Sequence, residues 1–129
     1  MLVRSIATAD LGAVHRLLVS NGWAHRIGDV EDLGRLISVS QRALVAVADD
    51  QIVGFARAIT DGISNGYLSM VVVAESHRRR GIGQALVERL VGSEPSITWV
   101  LRAGREGAAG FFAKLGFSAS TTAMERPRR

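Results

Sequence analysis

The sequence predicts an α+β domain in which a mixed, mostly antiparallel central sheet has helices on both faces. Segments of strand-type and helix-type pattern alternate along the chain, and the segments between residues 43 and 74 are joined by two short turn clusters. Short turns connect antiparallel strands, whereas a later strand–helix–strand unit requires a parallel pair. No repeat or linker divides the 129 residues, so we expect a single domain over 1–129.

The first forty residues predict one strand and two helices. Leu2–Ile6 alternates as a short strand does, and the next segment has an apolar stripe at helical spacing, with Thr8 as its cap and Asp10 in its first turn. Asn21-Gly22 ends this helix. The remaining segments are a loop at Trp23–Gly28 and a weaker helix at Val30–Val39.

The middle of the chain predicts three antiparallel strands. Ala43–Ala48 and Gln51–Ile59 flank Asp49-Asp50, which is a hairpin signal. A second turn cluster, from Asp61 to Gly66, leads into a strand at Tyr67–Ala74. The continuous apolar run of this third strand predicts burial on both faces.

The last third of the chain predicts a parallel crossover and a final strand. A helix from Gly81 to Gly92 precedes a strand at Ile97–Leu101, so this strand should run parallel to the third one. A further helix at Gly107–Leu115 ends at Gly116, and a last strand is expected within Phe117–Met124.

Composition excludes several classes of function. The apolar share of 47% is typical of a globular chain, and the absence of cysteine excludes disulfides, cysteine-ligated zinc and a cysteine nucleophile. The three histidines lack metal-ligand spacing, so no metal is expected. Neither a signal peptide nor a membrane span is visible, and we expect a cytoplasmic protein without a membrane partner.

The charge balance is explained as well by a small anionic ligand as by nucleic acid. Fifteen of the sixteen cations are arginine, but twelve acids are interleaved with them and the net charge is only +4. No aromatic residues stand among the three consecutive arginines at 78–80. Nucleic-acid binding by stacking is therefore not expected, although the high pI keeps it as an alternative.

The strongest motif lies where the third strand meets the following helix. After the apolar strand comes a basic turn, and Gly81-Ile82-Gly83 then opens the helix. Unpaired backbone N–H groups at such a helix start attract phosphate. A P-loop pattern is absent, and Leu86 occupies the place of the third glycine of a dinucleotide fingerprint.

Two segments together resemble the signatures of the GNAT superfamily of N-acetyltransferases. Arg78-x-x-Gly81-x-Gly83 is similar to the first signature, and the segment Ala108–Phe117 is similar to the second, a helix end of the form Ala-x-x-Phe-Tyr-x-Lys-x-Gly-Phe. The order of elements matches from Leu2 to about Glu125. The resemblance implies the GNAT-like acyl-CoA N-acyltransferase fold and acetyl-CoA as co-substrate.

The resemblance also implies how acetyl-CoA is held. The pyrophosphate would bind backbone N–H groups of the turn, and pantetheine would lie in a gap beside the third strand, pairing with the backbone of Val71 and Val73. Arg78 would orient the turn or contact phosphate. The turn residues implied are Arg79, Arg80, Gly81, Ile82, Gly83 and Gln84.

Catalysis in this family is direct attack of an amine on the acetyl thioester, and the carbonyl is polarised by a backbone N–H at a strand bulge. The tyrosine that many members use to protonate the thiolate corresponds to Phe112, which has no proton to donate, packs beside Phe111 and lines the acetyl-CoA site. Tyr67, the only tyrosine, is a possible substitute acid. Candidates for the base are Asp61, Ser69 and Glu75.

The acceptor site is implied by position alone. In the family the loops corresponding to Asn21–Asp32 and Asp61–Tyr67 line this site, and Trp23 and His25 would contact the acceptor. The expected acceptor is a small-molecule primary amine. The alternatives are a catalytically weak or inactive acyl-CoA sensor module and a nucleic-acid binder. A homodimer is expected from family habit and from the edge of the last strand.

Overall fold

The computed structural model describes residues 1–129, and its centre is one five-stranded sheet in the order β1-β2-β3-β4-β5. The first four strands pair antiparallel and β5 runs parallel to β4, as predicted. The strands are β1 Leu2–Ser5, β2 Arg42–Ala48, β3 Gln51–Thr60, β4 Asn65–Val73 and β5 Thr98–Val100. The helices are α1 Leu11–Ser20, α2 Ala24–Ile27, α3 Val30–Ser38, α4 Ile82–Val91 and α5 Ala108–Ala113.

Helices cover both faces of the sheet, which confirms the predicted architecture. On one face α4 inserts Leu86 and Leu90, both fully buried, into a first apolar cluster with residues of β2, β3 and β4. On the other face α1 and α3 contribute Leu18 and Leu33 to a second cluster around Phe55. None of the helices is long and apolar enough to cross a bilayer.

The turn at Asp49-Asp50 has the backbone that a two-residue hairpin requires. Both residues have positive φ, +52° and +59°, which matches the twist of the flanking strands. The hairpin between β2 and β3 is therefore confirmed.

A β-bulge interrupts β4 next to the predicted binding region. Phe55 pairs with Val72 but Arg57 pairs with Ser69, so β4 carries one more residue than β3 at this point, and Met70 there has φ +58°. The bulge moves β4 side chains to the other face: Leu68 belongs to the first cluster, whereas Met70 and Val72 belong to the second. The predicted burial on both faces is wrong in detail, because Tyr67 and Ser69 before the bulge and Val71 and Val73 after it are only half-buried.

Strands β4 and β5 diverge after a short paired stretch. Only Asn65–Tyr67 of β4 pairs with β5, through Thr98–Val100. The part of β4 from 68 to 73 has no strand partner on this side. This unpaired edge of β4 is where the resemblance implies a gap between the two parallel strands.

Two local predictions in the first forty residues are wrong. The segment Trp23–Gly28 is not all loop, because it contains the one-turn helix α2, whose Ile27 is buried in the second cluster. Thr8 does not cap the first helix, which begins with a short 3-10 turn. The Asp10 carboxylate accepts the Ala7 N–H at 2.7 Å and pairs with Arg4, and this serves as the cap.

The expected last strand is also absent, so the sheet ends at β5. Phe117 folds back instead, donating its N–H to the Phe112 carbonyl and packing edge-on against that ring. Further on, the Ser120 hydroxyl accepts the N–H groups of Thr122 and Ala123. Such local bonds compete with a sheet ladder, which explains why the segment turns rather than extends.

Candidate active site

The turn before α4 presents a row of unpaired backbone donors. Helix α4 begins at Ile82, and its first backbone bond runs from the Ala85 N–H to the Gly81 carbonyl at 3.0 Å. The N–H groups of residues 79–84 have no acceptor in the chain. These are six consecutive donors at the positive end of a ten-residue helix, the geometry that binds an anion such as a diphosphate.

The two glycines of the turn are required for different reasons. Gly81 has φ +80°, and a Cβ on it would meet nothing within 4 Å, so it gives the turn its left-handed backbone and leaves open space beside it. A Cβ on Gly83 would lie 3.1 Å from Phe111 Cζ. Gly83 therefore permits the close approach of α5 to α4, a packing role that the spacing alone did not indicate.

The three arginines of the turn also differ from one another. Arg78 donates from Nε to the Val73 carbonyl at 3.0 Å and from Nη2 to Asn21 Oδ1 at 2.5 Å, so it ties the turn to β4 and to the end of α1. Arg79 and Arg80 are exposed and form no ion pair. They are the cations available to an anion at this turn.

The backbone of β4 after the bulge is open towards the gap. The Ala74 N–H bonds the Val53 carbonyl on β3 at 2.7 Å. In a trans peptide the preceding carbonyl points the opposite way, so the Val73 carbonyl faces away from β3. That carbonyl accepts from Arg78 Nε and has a second lone pair for an extended ligand, and Val71 and Val73 are both half-exposed on this stretch.

Phe112 lies on α5 and belongs to a cluster of three aromatic rings. Its ring centroid is 4.9 Å from that of Phe111 and 5.7 Å from that of Phe117, and both contacts are edge-on. All three rings pack at the edge of the first cluster while remaining half-buried.

The Asp61 carboxylate accepts several hydrogen bonds within the turn between β3 and β4. Its Oδ1 accepts the N–H groups of Ile63, Ser64 and Asn65, and its Oδ2 accepts the Ser64 hydroxyl at 2.6 Å. The Ser64 hydroxyl and these N–H groups hold the pKa of this carboxyl far below its usual range. A carboxylate with such a low pKa is a weak base at neutral pH.

Ser69 and Tyr67 lie on the α1/α3 face of the sheet. Ser69 is directly opposite Arg57, and Tyr67 is opposite Ile59, in a stretch of the ladder without a bulge. Both are half-buried, and neither hydroxyl has a partner in the chain. Ser69 immediately precedes Met70 at the bulge.

Glu75 is separated from these residues. It is exposed in a 3-10 turn after β4, and with Ala74 and Asn21 it lines a cleft of about 750 Å³ between α1 and the β2–β3 hairpin. The structure thus brings Ser69 and Tyr67 together on one face and leaves Asp61 and Glu75 at opposite ends of β4.

Trp23 and His25 lie at the end of α1 and in α2. Trp23 packs against the second cluster with its Nε1 buried and unpaired, and the Arg105 guanidinium stacks over its ring at 4.1 Å. Arg105 also donates to the carbonyls of Asn21 and Gly22. His25 is exposed and makes no hydrogen bond.

Arg57 is a candidate that the sequence analysis missed. It is the only charged residue within the apolar run of β3, and in the structure it is 6% exposed. A lone arginine inside an apolar strand was the available signal. No cluster of residues suited to a metal ion is present.

Comparison with known proteins now places this geometry in a family. Residues 40–119 match the family model described as an acetyltransferase (GNAT) domain. The chain belongs to the GNAT acetyltransferase family, and it has the fold of that family.

Individual relatives agree with this assignment. A GNAT-family protein from Xanthomonas campestris pv. campestris superposes with a TM-score of 0.82 and 26% identity, over 98% of this chain and 92% of that one. A GNAT-family acetyltransferase from Streptococcus pneumoniae TIGR4 gives a TM-score of 0.79 and 26% identity, over 99% and 96%. Among curated proteins, the PanD regulatory factor of Salmonella typhimurium strain LT2 is 30% identical over 95 residues, 70% of this chain and 74% of that protein.

Proposed function

We propose that this chain is an N-acetyltransferase that transfers the acetyl group of acetyl-CoA to a primary amine of a small molecule, in a ternary complex of both substrates. The observation that carries the proposal is the row of six unpaired N–H groups at residues 79–84, beside the open backbone of β4. A diphosphate fits the first feature and an extended pantetheine chain fits the second.

The proposed reaction needs no group on the enzyme to be acetylated. The neutral amine nitrogen attacks the thioester carbonyl carbon, a C–N bond forms, the C–S bond breaks and CoA leaves as thiolate. The proton that the amine loses balances the one that the thiolate takes up. The bulge at Met70 leaves β4 backbone unpaired near the gap, where an N–H would stabilise the oxyanion.

For the proton transfers we propose the hydroxyls nearest the bulge. Ser69 is next to Met70 and its hydroxyl is unpaired, so it is placed to relay a proton from the amine to water. Tyr67 shares its face and remains the candidate acid, because Phe112 has no proton to give. Glu75 and the strongly bonded Asp61 are weaker candidates.

The proposal is tested first by acetyl-CoA binding. The variant Arg79→Glu/Arg80→Glu reverses the two free cations of the turn, and we expect it to weaken binding in calorimetry by about tenfold to a hundredfold, which corresponds to about 1.4–2.7 kcal/mol for the two charge contacts together. The matched control is Arg126→Glu/Arg128→Glu in the exposed tail, with the same change in charge. Equal affinity of both variants would contradict the assignment of the turn.

Turnover is tested separately. Thiol release from acetyl-CoA is measured with a panel of primary amines that includes polyamines, amino acids and aminoglycosides. An amine that accelerates release identifies the acceptor class. Binding without release for any member would refute the transferase proposal and leave the second candidate.

The second candidate is an acyl-CoA-binding module that acts on a protein partner. Two observations favour it: Phe112 occupies the position of the usual acid, and the chain is 30% identical to a PanD regulatory factor. A homodimer is a further proposal for either function, since the outer edge of β5 has no strand partner within the chain.

A further inference from the structure

Arg57 is a buried cation without a counter-ion. It is 6% exposed, yet none of the ion pairs of the chain includes it. The other buried charge, Asp10, is paired with Arg4. Burial lowers the pKa of the Arg57 guanidinium, but arginine remains charged at neutral pH. A buried charge of this kind is costly unless a partner compensates it.

Only one of its three guanidinium nitrogens is hydrogen-bonded. Nε donates to the Ser40 hydroxyl at 2.9 Å, and that hydroxyl donates to the Leu36 carbonyl at 2.8 Å. Nη1 and Nη2 have no acceptor in the chain. The only fully buried side-chain N or O atoms without a partner are two indole nitrogens, so both Nη atoms of Arg57 still reach solvent.

The guanidinium lies on the face that carries the unpaired hydroxyls. Arg57 is paired with Ser69 across the ladder, and the nearby Tyr67 raises the pKa that burial lowers. Directly paired side chains in a sheet lie about 5 Å apart at Cβ. The bulge at Met70 follows Ser69 directly, so this face adjoins the point where the acetyl group would lie.

We propose that Arg57 binds a carboxylate of the acceptor, so that the acceptor is an amine that also carries a carboxylate, as an amino acid does. This inference rests on the proposed function and specifies its substrate class. The two free Nη atoms form the fork that matches the two oxygens of one carboxylate.

A carboxylate fits this site better than a phosphate does. One guanidinium compensates a single negative charge, whereas a phosphate monoester carries close to two at neutral pH. The carbonyl end of α3 also lies beside the site, through Ser40 and Leu36, and its negative dipole disfavours a dianion.

The test compares acids with their amides. N-acetyl amino acids resemble the product, and the matched N-acetyl amino acid amides lack the charge. We expect the acids to bind at least tenfold more tightly in calorimetry, both with and without saturating CoA. Arg57→Met, which keeps most of the apolar stem, should abolish this difference, and Arg57→Lys should retain part of it.

The inference is wrong if the unchanged protein binds acids and amides equally well or binds neither of them. It is also wrong if Arg57→Met still prefers the acids. Should Arg57→Met fail to fold, the Nε–Hε signal of Arg57 in the unchanged protein provides the same decision. That signal should move on titration with an N-acetyl amino acid and stay in place with the amide. Movement with both or with neither contradicts the carboxylate site.

These measurements separate the inference from the proposed function. Binding of acids that depends on Arg57, without any thiol release, would reject the transferase and keep the carboxylate site. Release with amines that lack a carboxylate, together with equal rates for amino acids and their amides, would keep the transferase and reject the role of Arg57.

Discussion

The turn at residues 79–84 and the face that holds Arg57, Ser69 and Tyr67 are two candidate binding regions built in opposite ways. The turn presents backbone N–H groups of one continuous segment. The face presents side chains from β3 and β4, and Arg57 is held by a hydrogen bond to Ser40, which follows α3. A site made of backbone N–H groups depends on the positions of glycines in the sequence. A site made of side chains depends on which strands pair and in what register.

This difference predicts how each region responds to substitution. The turn should tolerate changes of side chain that keep its backbone and charge, and should fail when the helix behind it loosens. The face should respond to single side-chain changes with altered choice of acceptor and little change in acetyl-CoA affinity.

Loosening α4 should affect the turn far more than equal damage elsewhere. Leu86 and Leu18 are both fully buried, in the first and second cluster respectively. Leu86→Ala and Leu18→Ala should each lower the free energy of unfolding by about 2–5 kcal/mol in urea titrations. Only Leu86→Ala should also weaken acetyl-CoA binding, measured at a temperature where both variants are folded. Equal weakening in both variants would show that binding follows overall stability and not the support of the turn by α4.

Restoring the missing hydroxyl should separate an enzyme from a binding module. Phe112→Tyr adds a potential acid at the position where the family has one. We expect kcat for the best amine to rise about tenfold, less than a full general-acid effect, because a thiolate leaves readily. Phe111→Tyr, on the neighbouring ring, is the control. A chain that shows no turnover in either form would favour the regulatory candidate.

Two glycines of left-handed backbone offer a matched comparison. Gly81 and Gly62 have φ +80° and +73°, and a Cβ on either would meet nothing within 4 Å. Replacement by alanine should cost each about 1 kcal/mol of stability, through backbone strain alone. Acetyl-CoA affinity should fall for Gly81→Ala and stay constant for Gly62→Ala. A loss shared by both would indicate a general effect of strain rather than a ligand at the turn.

Asp61 should affect stability in a pH-dependent way and leave catalysis nearly unchanged. Its turn bonds lower the pKa of the folded carboxyl, so the stabilisation is complete above the unfolded pKa of about 3.9 and is lost as pH falls through the folded pKa. Asp61→Asn should therefore lower the melting temperature at neutral pH, and the difference should shrink in acid. A rate that falls sharply in Asp61→Asn at neutral pH would instead identify Asp61 as the base.

Much of the fold was predictable because its elements carry strong local patterns. The hairpin at Asp49-Asp50, the crossover through α4 and the turn at Gly81 are specified within short windows of sequence. The last strand was not predictable in this way. Phe117 has strand propensity, yet its ring packs against Phe112. The Ser120 hydroxyl accepts a hydrogen bond from the nearby Ala123 N–H, so the segment turns.

The candidate site likewise contains features that local sequence predicts and features that only the folded structure shows. The six donors of the turn could be named from glycine spacing and helix geometry. A lone arginine in an apolar strand marks Arg57 as a candidate, but the sequence does not show that it lacks a carboxylate partner, because that absence is visible only when every neighbour is in place. The separation of Asp61 from Ser69 likewise depends on the register of β3 with β4.

The bulge at Met70 has a consequence for insertions and deletions. Because it changes the parity of β4, the two halves of this strand follow opposite alternation rules, with Leu68 and Val72 buried on different faces. Deleting the extra residue at the bulge would restore a regular ladder and keep both halves opposite their present partners, whereas a deletion elsewhere in β4 would turn part of the strand over to the other face. Homologous chains should therefore keep the number of residues on either side of the bulge, so that any difference in length between the turn at Asp61 and the glycine at 81 falls at the bulge itself.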